Sequence, residues 1–181
     1  TSTNDMVAAL ANGLAGNPEI EEDTADYAAF VEVLKALCIR MSRMIAKDGE
    51  GATKLLECTV TGAKDLDTAI IVAKSVICSP LFKCAMFGAD ANWGRILCAV
   101  GYAEADFDIN KVDVSLSSKA GEIHVCHNGA GIEFSEEVAK TVLLEDEITI
   151  SVSIGDGNGT ATAWGCDLTY DYVKINGDYR S

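Results

Sequence analysis

The strongest constraint on the fold is an apolar periodicity across residues 24–47. Apolar side chains recur there every three or four positions, which is the spacing of one face of an α-helix. Acidic residues lie just before this segment and basic residues lie near its end, as the helix dipole favours, and Gly49 terminates it. The pattern predicts one long helix with a single apolar stripe, formed by Tyr27, Phe30, Val31, Leu34, Leu37, Cys38, Met41, Met44 and Ile45.

The rest of the chain alternates between strand-like and helix-like patterns, which predicts an α/β fold. Strands are predicted at residues 6–11, 55–61, 112–116, 122–126, 148–154, 160–166 and 173–175, and helices at 66–77 and 135–144. Residues 81–87 and 93–102 fit a buried helix or a buried strand equally well. The glycine-rich segment 155–159 separates two alternating segments and predicts a β-hairpin. We expect mixed sheets with helices on their outer faces, and the polar stretch 104–110 is the one candidate sub-boundary in a chain otherwise treated as a single unit, 1–181.

The composition excludes several classes of function. With 28 acidic and 14 basic residues, the formal charge of the 181-residue chain is −14, so its surface repels phosphate backbones and anionic membranes. No apolar run approaches the roughly 20 residues that a membrane span needs. We therefore expect neither a nucleic-acid partner nor a membrane partner.

The seven cysteines indicate a reducing compartment. Their number is odd, no two form a C-x-x-C pair, and most lie in apolar runs, so they are interpreted as small buried side chains. A catalytic thiol is the alternative. His124, Cys126 and His127 are too few for a metal quartet, and in a strand His127 would face away from the other two. The sequence therefore predicts no metal site.

Four stretches contain candidate functional residues. Gly49 and Gly51 flank Glu50, so that its carboxylate can project into a cleft and take a proton or hold an ammonium group; the alternative is a helix C-cap followed by an acidic turn. The segment 87–95 contains Asn92, Trp93 and Arg95 between glycines, and is either a recognition loop or the capped start of a helix.

The other two stretches are the ends of the chain. Residues 174–181 offer Asn, Asp, Tyr and Ser side chains to a small polar ligand, although terminal segments usually fray. Thr1 stands where an initiator methionine would be, which indicates a processed product or a fragment. An N-terminal threonine activated by its own α-amine is also a known nucleophile, so an amidohydrolase that uses Thr1 is one alternative function.

Several of these stretches, in this order, resemble ornithine acetyltransferase, the glutamate N-acetyltransferase of arginine biosynthesis. The similarity runs through most of the chain, and the ordered set of motifs is far more specific than any single one. The matching segments are residues 1–5 (TSTND), 11–16 (ANGLAG), 48–54 (DGEGATK), 79–83 (SPLFK), 92–96 (NWGRI), 165–169 (GCDLT) and 172–179 (YVKINGDY).

The resemblance implies an enzyme whose precursor cuts itself before a threonine to give an α chain and a β chain. That threonine takes the acetyl group from N-acetylornithine and passes it to glutamate. This sequence resembles the β chain, but the Ala-Thr-Met-Leu cleavage motif precedes the matched segment in the family and has no counterpart here, so Thr1 does not inherit the nucleophile's role. Since the oxyanion-hole residues belong to the α chain, the 181 residues alone are expected to be inactive.

The resemblance also implies particular site residues and partners. Glu50 matches a glutamate implicated in substrate binding or proton transfer, Asn176 matches an asparagine that contacts substrate, and Ser181 stands where the family ends in Thr or Ser; the role of Arg95 stays open. The family implies a layered α/β/β/α architecture, an α2β2 assembly and a cytoplasmic location. It implies ornithine, glutamate and their N-acetyl forms as ligands, and no cofactor, with acetyl-CoA as a co-substrate only in bifunctional members. A non-catalytic subunit that binds an amino acid is the remaining alternative.

Overall fold

The structure, a computed structural model, describes residues 5–155 and 157–178. It contains six helices, six strands and one 3-10 turn in these residues. The elements are α1 (Ala25–Lys47), β1 (Leu55–Ala63), α2 (Leu66–Cys78), α3 (Pro80–Phe87), α4 (Trp93–Gly101), the 3-10 turn Ile109–Lys111, β2 (Asp113–Ser118), β3 (Gly121–His127), β4 (Ala130–Gly131), α5 (Glu136–Leu143), β5 (Glu147–Ser153), β6 (Gly159–Cys166) and α6 (Tyr170–Asp178).

The strands form one mixed sheet in the order β4-β3-β2-β5-β1-β6. β1 runs parallel to β5, and every other neighbouring pair is antiparallel. The predicted mixed α/β class is therefore confirmed. The second sheet of a layered α/β/β/α architecture is not among the residues described, and that arrangement remains an expectation.

Side-chain caps begin the three helices that follow β1 and the helix that follows β4. Asp65, Ser79, Asn92 and Ser135 each precede a helix and accept a hydrogen bond from the backbone N–H three residues later. Pro80 occupies the first turn of α3, where its missing N–H costs nothing. These caps explain why both segments that the sequence left open between helix and strand are helices, α3 and α4.

One face of the sheet carries the hydrophobic core. Alternate residues of β1 and β5 point to this face, and they pack against α2 and the helices that follow it. The side chains of Leu56, Cys58 and Val60 on β1 and Ile150 on β5 are fully buried there. The other residues of the same strands are mostly Thr, Ser and Glu, so the opposite face of the sheet is polar.

α1 lies over this polar face and is held by charged side chains. The Arg43 guanidinium donates hydrogen bonds to Glu57 on β1 and, at 2.9 Å, to Glu147 on β5, and the Lys47 ammonium lies 2.8 Å from Glu147. The predicted helix is confirmed, but its apolar stripe is exposed: 51% of Phe30 and 49% of Leu37 face solvent. No described residue of α1 is buried.

The predicted hairpin between β5 and β6 is wrong. Both strands exist, but β1 lies between them and pairs with each. The glycine-rich segment crosses the end of β1: a Cβ on Gly62, whose φ is +72°, would lie 2.1 Å from the carbonyl oxygen of Gly155, and one on Gly157 would lie 2.0 Å from that of Ala63. The glycines permit this close backbone crossing rather than a two-residue turn.

Two further predicted strands are also wrong. Residues 6–11 have no regular structure and are exposed, and the sheet contains no strand from this segment. Residues 173–175 lie inside the helix α6, which is nine residues long. Thr169 caps this helix through its hydroxyl, which accepts a hydrogen bond from the backbone N–H of Tyr172 at 3.3 Å. The strand prediction considered the short apolar pattern and missed this cap.

No single helix in the described ranges is long and apolar enough to cross a membrane. Among the described helices, one bent pair, α2 and α3, reaches the length and composition together, with a bend of 57°.

The backbone crossing at Gly62 predicts a large effect of a single methyl group. Gly62→Ala combines an unfavourable positive φ with a clash against a backbone carbonyl, and should lower the free energy of unfolding by about 2 kcal/mol or more. Gly101→Ala is the matched control, because a Cβ there meets nothing within 4 Å; it should be neutral or stabilising by up to about 1 kcal/mol. Urea unfolding of both variants measures this, and equal stabilities would contradict the crossing.

Candidate active site

The candidate site lies where the loop before β1 meets the helix after β6. Because these strands are adjacent and antiparallel, Leu55 at the start of β1 pairs with Cys166 at the end of β6. The segment before Leu55 and the segment after Cys166 therefore lie side by side at the same end of these two strands. Glu50 is on the first segment and Asn176 is on the second.

Glu50 and Asn176 are in direct contact. The Nδ2 atom of Asn176 donates a hydrogen bond to Oε2 of Glu50 at 2.8 Å, although the residues are 126 positions apart in the sequence. The same Nδ2 donates to the carbonyl oxygen of Tyr172 at 2.9 Å, one helical turn earlier. Both side chains are exposed, so that a ligand can reach them.

The glycines around Glu50 let its loop approach the end of β6 and α6. Gly51 has a φ of +67°, and a Cβ there would lie 2.9 Å from the backbone nitrogen of Tyr172. A Cβ on Gly49 would lie 2.7 Å from the sulfur of Cys166. A side chain at position 51 would clash with the backbone of α6 and move the loop that carries Glu50, whereas one at position 49 would require the Cys166 side chain to move.

Two buried ionisable residues, Asp167 and Lys54, lie directly behind the loop. The carboxylate of Asp167 accepts hydrogen bonds from the backbone N–H groups of Thr53 at 2.8 Å and Lys54 at 3.0 Å. The Lys54 side chain is 8% exposed and donates to the carbonyl oxygen of Met86. Burial lowers the pKa of Lys54 below its ordinary value of 10.5, and the Asp167 charge opposes this effect.

The arrangement of Glu50 and Asn176 suits an amino acid or its acyl derivative. A carboxylate can bind an ammonium group or exchange a proton, whereas a carboxamide can both donate and accept hydrogen bonds. Together they offer fixed polar partners to a small ligand that carries groups of opposite charge.

The segment 87–95 forms a helix start in the structure. Asn92 caps α4 by accepting a hydrogen bond from the backbone N–H of Arg95 at 3.1 Å. The Arg95 guanidinium donates to the carbonyl oxygen of Leu81 at 3.0 Å, which links α4 to α3. Trp93 lies against Gly131, where a Cβ would come within 2.2 Å of the indole ring. The structure thus gives all three residues contacts within the fold.

The remaining candidates have separate outcomes. Thr1 and Ser181 lie outside the residues that the structure describes. All seven cysteines are free thiols, but the prediction that they are buried is wrong for the four exposed ones, Cys38, Cys78, Cys84 and Cys98. Burial raises the pKa of Cys58 to about 12, so this thiol stays protonated. Within residues 5–155 and 157–178, no three His, Cys, Asp or Glu side chains are grouped as metal ligands would be.

The sequence pattern alone assigns no role to Asp167 or Thr169. Both fall within the segment 165–169, but nothing in its composition distinguishes a buried anchor from an exposed turn. An Asp directly after a strand and two residues before a capping Thr was the available signal.

The model of the ArgJ family matches residues 1–181. The chain belongs to the ArgJ family.

Curated relatives carry the name arginine biosynthesis bifunctional protein ArgJ. The chain is 54% identical over 181 residues to ArgJ 1 of Clostridium acetobutylicum, covering 100% of this chain and 44% of that protein. It is 53% identical over 180 residues to ArgJ of Caldanaerobacter subterraneus subsp. tengcongensis, covering 99% of this chain and 45% of that protein. The chain therefore spans less than half the length of these ArgJ proteins.

A solved ArgJ structure confirms the fold. The crystal structure of ArgJ from Bacillus halodurans at 2.00 Å resolution is 47% identical in sequence and superposes with a TM-score of 0.91. The match covers 99% of this chain and 83% of that one.

The lowered pKa of Lys54 predicts a pH dependence of stability. Between that pKa and 10.5, the unfolded chain binds a proton on Lys54 that the folded protein lacks, so the free energy of unfolding rises with pH. Lys54→Met lacks this group, and its stability relative to the wild type should fall as the pH is raised from neutral toward 10.5. Urea unfolding of both proteins at several pH values measures the difference between their free energies of unfolding. The other titratable groups are the same in both proteins, so their contributions cancel in this difference. A difference that stays constant with pH would contradict the burial of a titrating amine.

Proposed function

We propose that this chain is the β-chain portion of a Thr-dependent N-acetyltransferase that moves the acetyl group of N-acetylornithine to glutamate. Membership of the ArgJ family and the names of the relatives support a role in arginine biosynthesis. The observation that carries it is the contact between Glu50 and Asn176, the two described residues to which the family resemblance gives a role at the substrate.

Acetyl transfer requires a nucleophile, oxyanion donors and groups that bind the substrate and move protons, and Glu50 and Asn176 supply only the last of these. A threonine hydroxyl attacks the amide carbonyl, the C–N bond breaks, and the departing amine takes up a proton, which leaves an acetyl ester. The amine of glutamate then attacks the ester, loses a proton and releases the hydroxyl. In this scheme Glu50 holds the substrate's ammonium or moves a proton at the reacting amine, and Asn176 orients the amino-acid end.

The nucleophile and the oxyanion donors come from other parts of the precursor in this proposal. The chain spans 44% of the Clostridium relative, which leaves more than half of such a protein to supply them. This supports an α chain as partner and the inactivity of the isolated 181 residues, and we propose an α2β2 assembly from the family resemblance alone.

The exposed stripe of α1 is the surface that we assign to this partner. Every residue from Ala25 to Arg40 is exposed, and the stripe includes large apolar side chains such as Phe30, Leu34 and Leu37. Monomeric proteins rarely leave so many apolar side chains uncovered in one continuous patch. The occupant is the remaining portion of the same precursor, because the relatives contain that portion in one protein with the matched region.

Two smaller assignments accompany this function. The relatives are named bifunctional; we propose that no cofactor is needed and that acetyl-CoA is a co-substrate only if this protein is bifunctional as well. We also propose a cytoplasmic location, which the seven free thiols support because a reducing compartment preserves them.

A chimera tests the acetyl-transfer proposal. In the Clostridium acetobutylicum relative, this chain replaces the matched region, and transfer of labelled acetyl from N-acetylornithine to glutamate is measured by mass spectrometry. The chimera should be active and the isolated chain inactive. Glu50→Gln in the chimera should lower the rate about a hundredfold, since it removes a group that binds or moves a proton.

Glu104→Gln is the control, because it neutralises another exposed carboxylate outside the site. It should leave the rate within about twofold. A folded chimera that transfers no acetyl group would refute the enzyme proposal. Calorimetric binding of ornithine or N-acetylglutamate without turnover would instead favour an amino-acid-binding subunit.

The stripe of α1 makes a separate prediction about assembly. Phe30→Lys places a charge in the proposed interface and should weaken binding to the unmatched portion of the Clostridium relative, expressed as a separate polypeptide, by about tenfold or more. Analytical ultracentrifugation of the mixture measures the affinity.

Glu32→Lys is the matched control, because it introduces lysine two residues away, about 200° around the helix axis. This variant should bind like the wild type. Equal affinity of Phe30→Lys and the wild type would show that the partner does not cover the stripe.

A further inference from the structure

Two buried polar side chains connect the Glu50 loop to the segment that carries Asn176. Asp167 is 2% exposed and Thr169 is 5% exposed. No hydrogen bond among the described residues joins either side chain directly to Glu50 or Asn176. Burial of polar groups is costly unless they are bonded, so their partners define what they do.

Asp167 fixes the end of the loop. Its Oδ1 atom accepts hydrogen bonds from the backbone N–H groups of Thr53 and Lys54, and Oδ2 accepts from the hydroxyl of Thr53. The backbone N–H of Asp167 in turn donates to the carbonyl oxygen of Lys54 at 3.3 Å. These four hydrogen bonds continue the pairing of β1 with β6 beyond the last paired residues of the sheet.

Thr169 fixes the middle of the loop. Its hydroxyl donates a hydrogen bond to the carbonyl oxygen of Gly51 at 2.7 Å and accepts one from the backbone N–H of Tyr172 at 3.3 Å. One hydroxyl therefore caps α6 and holds the residue next to Glu50. Asn176 lies one turn beyond Tyr172 on the same helix and donates to its carbonyl oxygen.

We propose that Asp167 and Thr169 are positioning residues that set the separation and orientation of Glu50 and Asn176. The inference rests on the proposed function, because it assigns these residues to the substrate site named there. Glu50 and Asn176 are both exposed, and one exposed hydrogen bond between them contributes too little to order two chain segments. The buried bonds of Asp167 and Thr169 supply the missing order, so that the substrate meets a site that is already formed.

Substitutions of Thr169 in the active chimera test the proposal. Thr169→Val keeps the shape but loses the hydroxyl, and should raise KM for N-acetylornithine and glutamate about fivefold to tenfold, as expected when a hydrogen bond that preorganises a site is lost. The change in kcat should be smaller. Thr169→Ser keeps the hydroxyl and should restore KM to within about twofold of the wild type.

Ser135→Ala is the matched control for a purely structural effect. Ser135 caps α5 through the same kind of hydrogen bond to a backbone N–H, at 3.3 Å from Val138. Its loss should lower the thermal unfolding midpoint while KM stays unchanged. A normal KM in Thr169→Val, whatever its unfolding midpoint, would overturn the positioning role, and so would a Thr169→Ser variant that behaves like Thr169→Val.

Hydrogen exchange on the 181-residue chain provides a measurement that does not depend on activity. Thr169→Val and Asp167→Asn should each speed exchange of the backbone amides in residues 51–54 and 170–176, while exchange in α5 stays as in the wild type. Unchanged exchange in both variants would refute the inference even if the chimera is active. If the wild-type chimera is inactive but exchange responds as expected, the proposed function fails and the coupling between the two segments stands.

Discussion

The candidate site depends on the position of β1 between β5 and β6. Because β1 and β6 are antiparallel neighbours, the chain before Leu55 and the chain after Cys166 leave the sheet at the same end of these strands. Glu50 and Asn176, 126 positions apart, thereby come within hydrogen-bonding distance. The hydrophobic core on the apolar face of the sheet holds the register of β1 and β6. A slip of one residue in the pairing would turn Leu56 and its alternating neighbours away from the core, so the hydrophobic pattern that stabilises the sheet also fixes the site.

The two faces of the sheet have different roles. One is apolar and covered by α2–α5, and the other is polar and met by α1 through Arg43 and Lys47. Such half-exposed ion pairs contribute little to stability. The apolar stripe of α1 points away from them, so burial within this chain does not account for its sequence. A partner that covers the stripe would account for it, in agreement with a chain that spans less than half of its relatives.

Local signals predicted most of the elements but misjudged the pairing of β5 with β6. The helix predicted at residues 24–47 and the strand predicted at residues 55–61 are confirmed as α1 and β1. Side-chain spacing predicts them because it follows directly from helix and strand geometry. The hairpin at 155–159 failed, because glycines permit a close crossing as readily as a tight turn, and only the neighbouring backbone distinguishes the two. The strand at 173–175 failed because three apolar residues are too few to outweigh a helix cap at Thr169.

By itself, the sequence determined the α/β class, most of the helices and strands, and Glu50 and Asn176 as candidates through the motifs around them. Only the tertiary structure decided that these two side chains touch and that Asp167 and Thr169 anchor the segments that carry them. It also decided that the stripe of α1 faces outward. Contacts of this kind depend on which strands pair and on what lies behind a loop. Spacing along the chain does not encode these relations, because they arise from backbone hydrogen bonds and burial between residues more than a hundred positions apart.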